Sequence, residues 1–485
     1  MAIEENWPLA LAPRARTGVV TWTVRLGFVA LVAGVLATTV FALGLLHTRP
    51  VMPGEAEVLF EAARMHAHLP LFTDPRAGTF EYGSYASRFY VLYPPIWSWV
   101  VSFVPPEIAQ PIARFVGCAA WFGVLAWISQ PATPRCRPAA MAGALYVAGV
   151  FVLANFATTA RPDAIAVALA ALALDRCVRR QRLDGWSVAL FCTAAVLKPN
   201  VMGAMIGVFV ASVITAPRYA LRNIAMAILL GAAWIDVLEI ASNGVWHEHF
   251  VCSFGQPRSL ALAASGAVSR LPLLGGLLAT AAWLAWRHRY HRGIALGLGA
   301  LAGAFAWACL AFSRPGSASN YWLETCAVCV VILAHAPLPD IREWSGTTAR
   351  LAAIAFAAQA IYNAGAAWEG TLESFEKEPA RARLAQFARE NCRAEPNDVI
   401  VADEPGFELE TNDRILATVF TMNAAVRAGK LPLETAVSDA KRPEVRCVMS
   451  AHGEFGAFLP EVRDIFRDRF RLMKEEGDWK LYAHR

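Results

Sequence analysis

Long apolar runs broken by short polar clusters constrain this chain more than any other feature. Runs of about 18 or more apolar residues recur along most of it, each long enough to cross a bilayer as a helix. Charged residues make up 17% of the 485 positions and hydrophobic ones 56%, whereas soluble domains carry roughly 25% charged residues. Only helices or closed barrels satisfy their backbone polar groups inside lipid. The pattern therefore predicts a mainly α fold, a polytopic helical membrane bundle of about eleven spans.

The expected spans fall at roughly 21–46, 107–129, 138–157, 162–177, 184–197, 199–216, 219–241, 271–286, 293–311, 320–336 and 348–365. Several are only about 15 residues long, which suits tilted partners or half-spans. The first run, Val19 to Leu46, is too long for a signal-peptide core and lacks a small-residue cleavage pattern, so it is expected to be a mature span. The net charge of +5 is scattered over short loops. With no basic arm or aromatic-basic interleaving, nucleic acid is not an expected partner.

The polar clusters sort into two series. One is almost purely arginine: Arg14 and Arg16, Arg135 and Arg137, Arg176 to Arg182, Arg218 and Arg222, Arg287 to Arg292, Arg342 and Arg350. The positive-inside rule assigns this series to the cytoplasm, giving an N-in, C-out topology. The other series then faces outward. It comprises a long first loop (47–106), turns at 158–161 and 198, loops 242–270 and 312–319, and the C-terminal region. In the first loop, Val58, Leu59, Ala62, Ala63 and Met65 share an apolar face, predicting a surface helix over 55–68. Tyr93-Pro94-Pro95 opens a second short helix over 96–104, surface-lying or re-entrant.

Charge rises beyond residue 366, dividing the chain into a membrane domain (1–366) and a small soluble α/β domain (367–485) on the outer face. Helices are expected at 381–390, 411–430 and 460–470, and strands at 398–402 and 445–450. A final hairpin runs over 471–484, turning at Glu476-Gly477-Asp478. Cys392 and Cys447 both fall in this domain and are candidates for a disulfide if it lies outside the cytoplasm. Cys326 and Cys329 form a CxxC inside an apolar helix, with no second pair to suggest zinc or redox work.

Several outer clusters carry groups that could do chemistry. Glu55 and Glu57 follow the first span; they are either first-turn acids complementing a helix dipole or a source of a general base. In Arg161-Pro162-Asp163, Pro162 and Asp163 suit a helix start, but a cation there opposes the dipole. Lys198-Pro199-Asn200 repeats the arrangement at the next outward turn. Two isolated cations at matching depth suggest a phosphate site, against snorkelling to headgroups. Asn320 and Glu324 lie one helical turn apart, flanking Tyr321 and close after Arg314. They could bind sugar hydroxyls, or belong to a cap and interfacial aromatic belt. His247 and His249 are the candidate ligands for a divalent metal, although their side chains diverge on a helix. No nucleotide loop, nucleophile elbow, HExxH or dinucleotide fingerprint is present.

Taken in order, these motifs resemble the GT-C class of integral membrane glycosyltransferases, the polyprenyl- or dolichyl-phosphate-sugar-dependent group that includes protein mannosyltransferases and aminoarabinose transferases. The resemblance rests on GEAEVLFEAARMH, LPLFTDP and YPP in the first outer loop, Arg114 in the second span, then RPD, KPN and NYWLE. It covers most of residues 20–335. It implies a sugar moved from a polyprenyl-phosphate carrier to a lipid, glycan or protein acceptor, at the outer face of a cytoplasmic membrane. By the same resemblance, Glu55, or else Glu57, is the base, and Arg161, Lys198 and Arg314 hold the lipid phosphate. Asp163, Asn200, Asn320, Tyr321 and Glu324 orient sugar or acceptor. Aspartate is common in the family where Glu55 stands here. A multi-span transporter or another lipid-phosphate-handling protein is the rival reading; transporters tend to show repeats and broken helices at the bilayer midplane.

Overall fold

The computed structural model describes the chain except residues 1–14, 48–50, 52–53, 79–87, 92–93, 131–135, 255–257, 315–316, 337–345 and 452. For 15–20, 47, 251–254, 346 and 348–349 it describes the backbone alone. Arg14, Arg135, Arg342 and Tyr93 of the sequence motifs lie outside the described residues.

Helices form where the apolar runs predict them, but few are full spans. Five are long and apolar enough to cross a bilayer: α1 (Ala15–His47), α4 (Pro106–Ile128), α10 (Pro217–Ala241), α14 (Arg292–Phe312) and α16 (Gly346–Cys392). Two bent pairs raise the number to seven if each counts as one span. They are α5 (Arg137–Ala148) with α6 (Phe151–Ala157) at 75°, and α12 (Leu260–Val268) with α13 (Leu271–Arg287) at 82°. The other expected spans form α7 (Asp163–Arg180), α8 (Gly185–Leu197), α9 (Gly203–Thr215) and α15 (Trp322–His335). A helix the length of α8 or α9, 13 residues, covers only about 20 Å at ~1.5 Å per residue. The first long loop holds α2 (Ala56–His66) and α3 (Ile96–Val101), where helices were expected, and α11 (Trp246–Phe254) lies in the loop after α10.

Burial sorts the bundle into an axis and a rim. Every residue of α15 from Trp322 to Ala334 is buried, so an apolar sequence there meets protein on all sides. On α10 only Ala220, Asn223 and Leu238 are buried, so its apolar surface is left for lipid. Close packing uses small residues. Gly203 and Gly207 of α9 face Gly299 and Gly303 of α14, and a Cβ on Gly207 would lie 1.9 Å from the Gly299 carbonyl oxygen. Without a hydrophobic drive between helices in lipid, such spacing lets backbones approach and gain dispersion contact.

The expected boundary near 366 falls within one continuous helix. α16 runs alongside α1, with Phe356 against Gly27 and Phe375 against Gly44, and continues into the α/β domain. There, four strands make a mixed sheet in the order β1-β2-β4-β3: β1 (Val399–Ala402), β2 (Val445–Ser450), β3 (Phe470–Glu476) and β4 (Trp479–His484). β1 and β2 pair in parallel, so a crossover must join them. It contains α17 (Pro405–Asn412), α18 (Val419–Arg427) and α19 (Leu433–Lys441). The single helix expected over 411–430 is thus two helices, because the chain turns at Asp413, φ +58°, and α19 had no counterpart among the expected elements. α20 (Pro460–Arg469) and the closing hairpin lie as expected. Cys392, ending α16, is disulfide-bonded to Cys447 in β2.

This domain is fixed to the long loop between α1 and α4. Arg88 pairs with Asp439 of α19 at 2.7 Å, both buried, and Tyr90 packs into the domain's apolar core. The Val51 N–H donates to Glu410, whose carboxylate also takes two bonds from Arg381 at 3.0 Å.

Candidate active site

The site is assembled where α1 gives way to α2. Gly54 has φ +80°, and a Cβ there would meet the Arg161 guanidinium at 2.7 Å. Glycine therefore supplies both the left-handed turn and the room for Arg161. The turn sends Glu55 inward. Its carboxylate takes two bonds from Arg114 of α4, 2.8 Å and 2.6 Å, and one from the Ala160 N–H at 2.6 Å. Arg114 also donates to the Leu45 carbonyl, and Trp97 of α3 to the Ala160 carbonyl at 2.7 Å. Glu55 and Arg114 are both fully buried. This paired carboxylate ties α1, α2, α4 and the turn before α7 into one knot.

One helical step on, Glu57 is buried and lies within the field of Arg161 and Lys198. Burial raises its carboxyl above the ordinary range, and the two cations oppose that rise. A turn further, Glu61 accepts the Ser98 hydroxyl of α3 at 2.5 Å, and burial pushes its carboxyl up to about 8.

Asp163, the first residue of α7, is the hub. Its Oδ2 lies 3.0 Å from Arg161 Nε and 3.3 Å from Lys198 Nζ, and its Oδ1 accepts from Asn320 Nδ2 at 2.6 Å. Lys198 is fully buried and Arg161 nearly so. Three motif residues, the farthest 157 positions away, thus meet at the Asp163 carboxylate. Tyr321 lies near enough to act electrostatically on Lys198. Asn200 is buried, and its Oδ1 has no hydrogen-bond partner among the described residues.

Other candidates are placed elsewhere. Glu324 accepts from the N–H groups of Gly203 at 3.2 Å and Ala204 at 3.0 Å, capping the start of α9; an anion at a helix N-terminus satisfies orphan donors. Arg314, half-buried after α14, is set through its carbonyl, which accepts the Ser317 hydroxyl at 2.7 Å. The metal expectation at His247 and His249 needs correction. His249 is fully buried, and the Val91 N–H donates to its Nδ1 at 2.9 Å, so Nε2 carries the proton and donates to the Thr73 carbonyl at 2.8 Å. With both nitrogens occupied it is a strut under the first loop, and burial lowers its pKa further. His247 sits at the surface near Glu239, 3.5 Å away. No group of three metal-ligating side chains occurs among the described residues.

The sequence motifs assign no role to Glu61 or Ser98 and do not pair Arg114 with Glu55. The i, i+4 spacing of Glu57 and Glu61 was a usable signal, as was a lone arginine in an apolar span, which must find a counter-charge.

No family model matches the chain, and no curated protein does. Solved structures do. ArnT from Cupriavidus metallidurans bound to undecaprenyl phosphate superposes with a TM-score of 0.56 at 12% identity, over 96% of this chain and 98% of that one. The apo state of the same protein gives 0.56 at 15% identity, over 97% and 98%. Along nearly its whole length, the chain has the fold of a GT-C class membrane glycosyltransferase, the class its motifs resemble.

Proposed function

We propose that the protein transfers a sugar from a polyprenyl-phosphate carrier to an acceptor hydroxyl at the extracytoplasmic face of the membrane. The observation that carries this reading is the convergence of two buried cations, Arg161 and Lys198, on one carboxylate oxygen of Asp163 beside Glu57. Two cations sharing one carboxylate suit a further anion, and phosphate matches that chemistry. The fold likeness to a protein crystallised with undecaprenyl phosphate favours a lipid phosphate over a free one. The arginine-bearing loops support the sidedness, and the Cys392–Cys447 disulfide belongs in an oxidising compartment.

Glu57 is the general base in this reading. Glu55, the first choice from sequence, has both oxygens committed to Arg114 and the Ala160 N–H, so it holds the loop. Glu57 takes the proton of the acceptor hydroxyl as the acceptor oxygen forms its bond to the anomeric carbon. The bond from that carbon to the phosphate oxygen breaks, and its electron pair leaves with the phosphate. Arg161 and Lys198, already desolvated and in place, stabilise that charge as it develops. Asp163 and Asn320 keep the two cations apart and aimed. A one-step displacement inverts the anomeric centre.

The test is transfer from an undecaprenyl-phosphate-linked sugar by the purified protein in lipid nanodiscs, with Glu57→Gln and Lys198→Met beside wild type. Loss of transfer in both, with Lys198→Met also weakening carrier binding, supports the reading. Wild-type rates in either variant would sink it.

A further inference from the structure

Glu57 sits on a helix too short to hold itself in place. α2 has 11 residues and no side-chain N-cap, and isolated helices under about 12–15 residues are marginal in water. Its orientation is therefore set by what it packs on. Glu57 and Glu61 lie one turn apart, toward the buried cations and toward Ser98 of α3. Ala56 and Phe60 each stand one residue earlier, about 100° round the helix. They form an apolar cluster with Val51, Leu409 and Ile415. Leu409 belongs to α17 and Ile415 follows it, so this second face of α2 rests on the α/β domain.

A polar tie acts at the same place. Val51 stands three residues before the left-handed Gly54 and six before Glu57. Its N–H donates to the carboxylate of Glu410 on α17. Arg381 of α16 fixes that carboxylate with two bonds of 3.0 Å, and both side chains are largely buried. Hydrogen bonds to an ionised acceptor are roughly twice as strong as neutral ones. One turn back along α17, a Cβ on Gly406 would lie 2.6 Å from the Val51 carbonyl oxygen and 2.9 Å from Arg381 Nη2. A single turn of α17 therefore meets both the N–H and the C=O of Val51. From the other side, the Glu55–Arg114 pair anchors the start of α2 to the bundle.

We infer that Glu410 is a positioning residue for the transfer: held by Arg381, it sets Val51 and, through Val51 and the packed face of α2, aims Glu57. The α/β domain is then a working part of the active site although it touches neither carrier nor acceptor in this role. The inference rests on the reading of Glu57 as the base. Proton transfer demands close alignment, and a misplacement of about 1 Å at a reacting group costs on the order of 10²-fold in rate. Arg161 and Lys198 are set instead by Asp163 within the bundle. Loss of Glu410 should therefore slow the chemical step and spare carrier binding.

A mutant cycle on the full-length protein in nanodiscs, with an undecaprenyl-phosphate-linked sugar as donor, tests it. Glu410→Ala is expected to lower kcat about 10–100-fold with the KM for the carrier unchanged. In a Glu57→Gln background the same substitution should have no further effect, because no base is left to aim. Gly406→Ala keeps Glu410 and Arg381 but displaces Val51, so it should reproduce the kcat loss; it replaces Glu410→Ala if that variant does not fold. Asp439→Asn loosens the same domain contact at Arg88, away from Val51, and should lower thermal stability while leaving kcat unchanged. Wild-type kcat in the folded Glu410→Ala protein overturns the proposal. So does an equal loss with and without Glu57, or a kcat loss in Asp439→Asn that matches the one in Glu410→Ala. Wild-type transfer by Glu57→Gln overturns the base assignment itself, and this proposal with it.

Discussion

The two ends of α7 each carry an aspartate, twelve residues and about 18 Å apart, and they are built to different ends. Asp163 is shared by two fully or nearly fully buried cations and an asparagine. Asp175 pairs with His335 at 2.7 Å and with Arg179 at 2.8 Å, and the arginine is about one-third exposed. At the second end a single permanent cation of α7 itself, partly in water, balances the carboxylate, and His335 ties it to α15. At the first, more positive charge is buried than the carboxylate alone offsets, and Glu57 leans on the same pair. Burying charge is costly unless something answers it. Two cations and two carboxylates buried together at one end of a helix, against a partly exposed pair at the other, mark where the proposed ligand belongs.

Five outcomes would break or sharpen this contrast. The largest concerns a third pair, Glu55 with Arg114, balanced yet fully buried. Arg114→Leu strands the carboxylate and should cost about 3–5 kcal/mol, read as a fall in thermal unfolding in nanodiscs; a loss under about 1 kcal/mol would mean the knot is not structural. Next, Lys198→Met should lower transfer by about 10²–10³-fold, the usual cost of one preorganised donor to a developing anion. Arg179→Met at the far end should change the rate by less than about twofold, and equal losses would erase the distinction between the ends.

Asp175→Asn should cost about 1–2 kcal/mol of stability, because partly exposed partners turn to solvent, and should leave transfer intact. The last outcome concerns Glu61. Its folded pKa of about 8 lies above the unfolded 4.5, so the proton favours the native state. That stabilisation is complete below about pH 4.5 and is lost as pH rises toward and through 8. Glu61→Gln should flatten this decline in an unfolding series from pH 5 to 9; an unchanged slope would place the titration elsewhere.

How much of this the sequence revealed depends on the length scale of the signal. Helix positions were legible because apolar runs act locally, and so were the helix α2 and the closing hairpin; that α2 is mostly buried in protein was not. The bends between α5 and α6 and between α12 and α13 were not, since bent and straight helices bury the same residues. In the site, the order RPD, KPN and NYWLE pointed to Arg161, Asp163, Lys198 and Asn320, which do meet. What spacing could not supply was the partner of each charge. Glu55 reads as a free acid until Arg114 is folded against it. Glu324 reads as a sugar ligand until α9 presents its amides, and His249 reads as a metal ligand until Val91 and Thr73 take its nitrogens.

The continuity of α16 makes the α/β domain a matter of phase. A helix advances about 100° per residue, and α16 stays helical through Pro379 from α1's partner surface to Cys392. Adding one residue near 370 would swing Asp439 and Glu410 about the helix axis, away from Arg88 and the Val51 N–H, with no local clash to announce it. Seven added residues would nearly restore the angle while lifting the domain by about 10 Å. Length changes in this helix are therefore quantised by the screw of the backbone, and a domain grafted here inherits its orientation from a residue count.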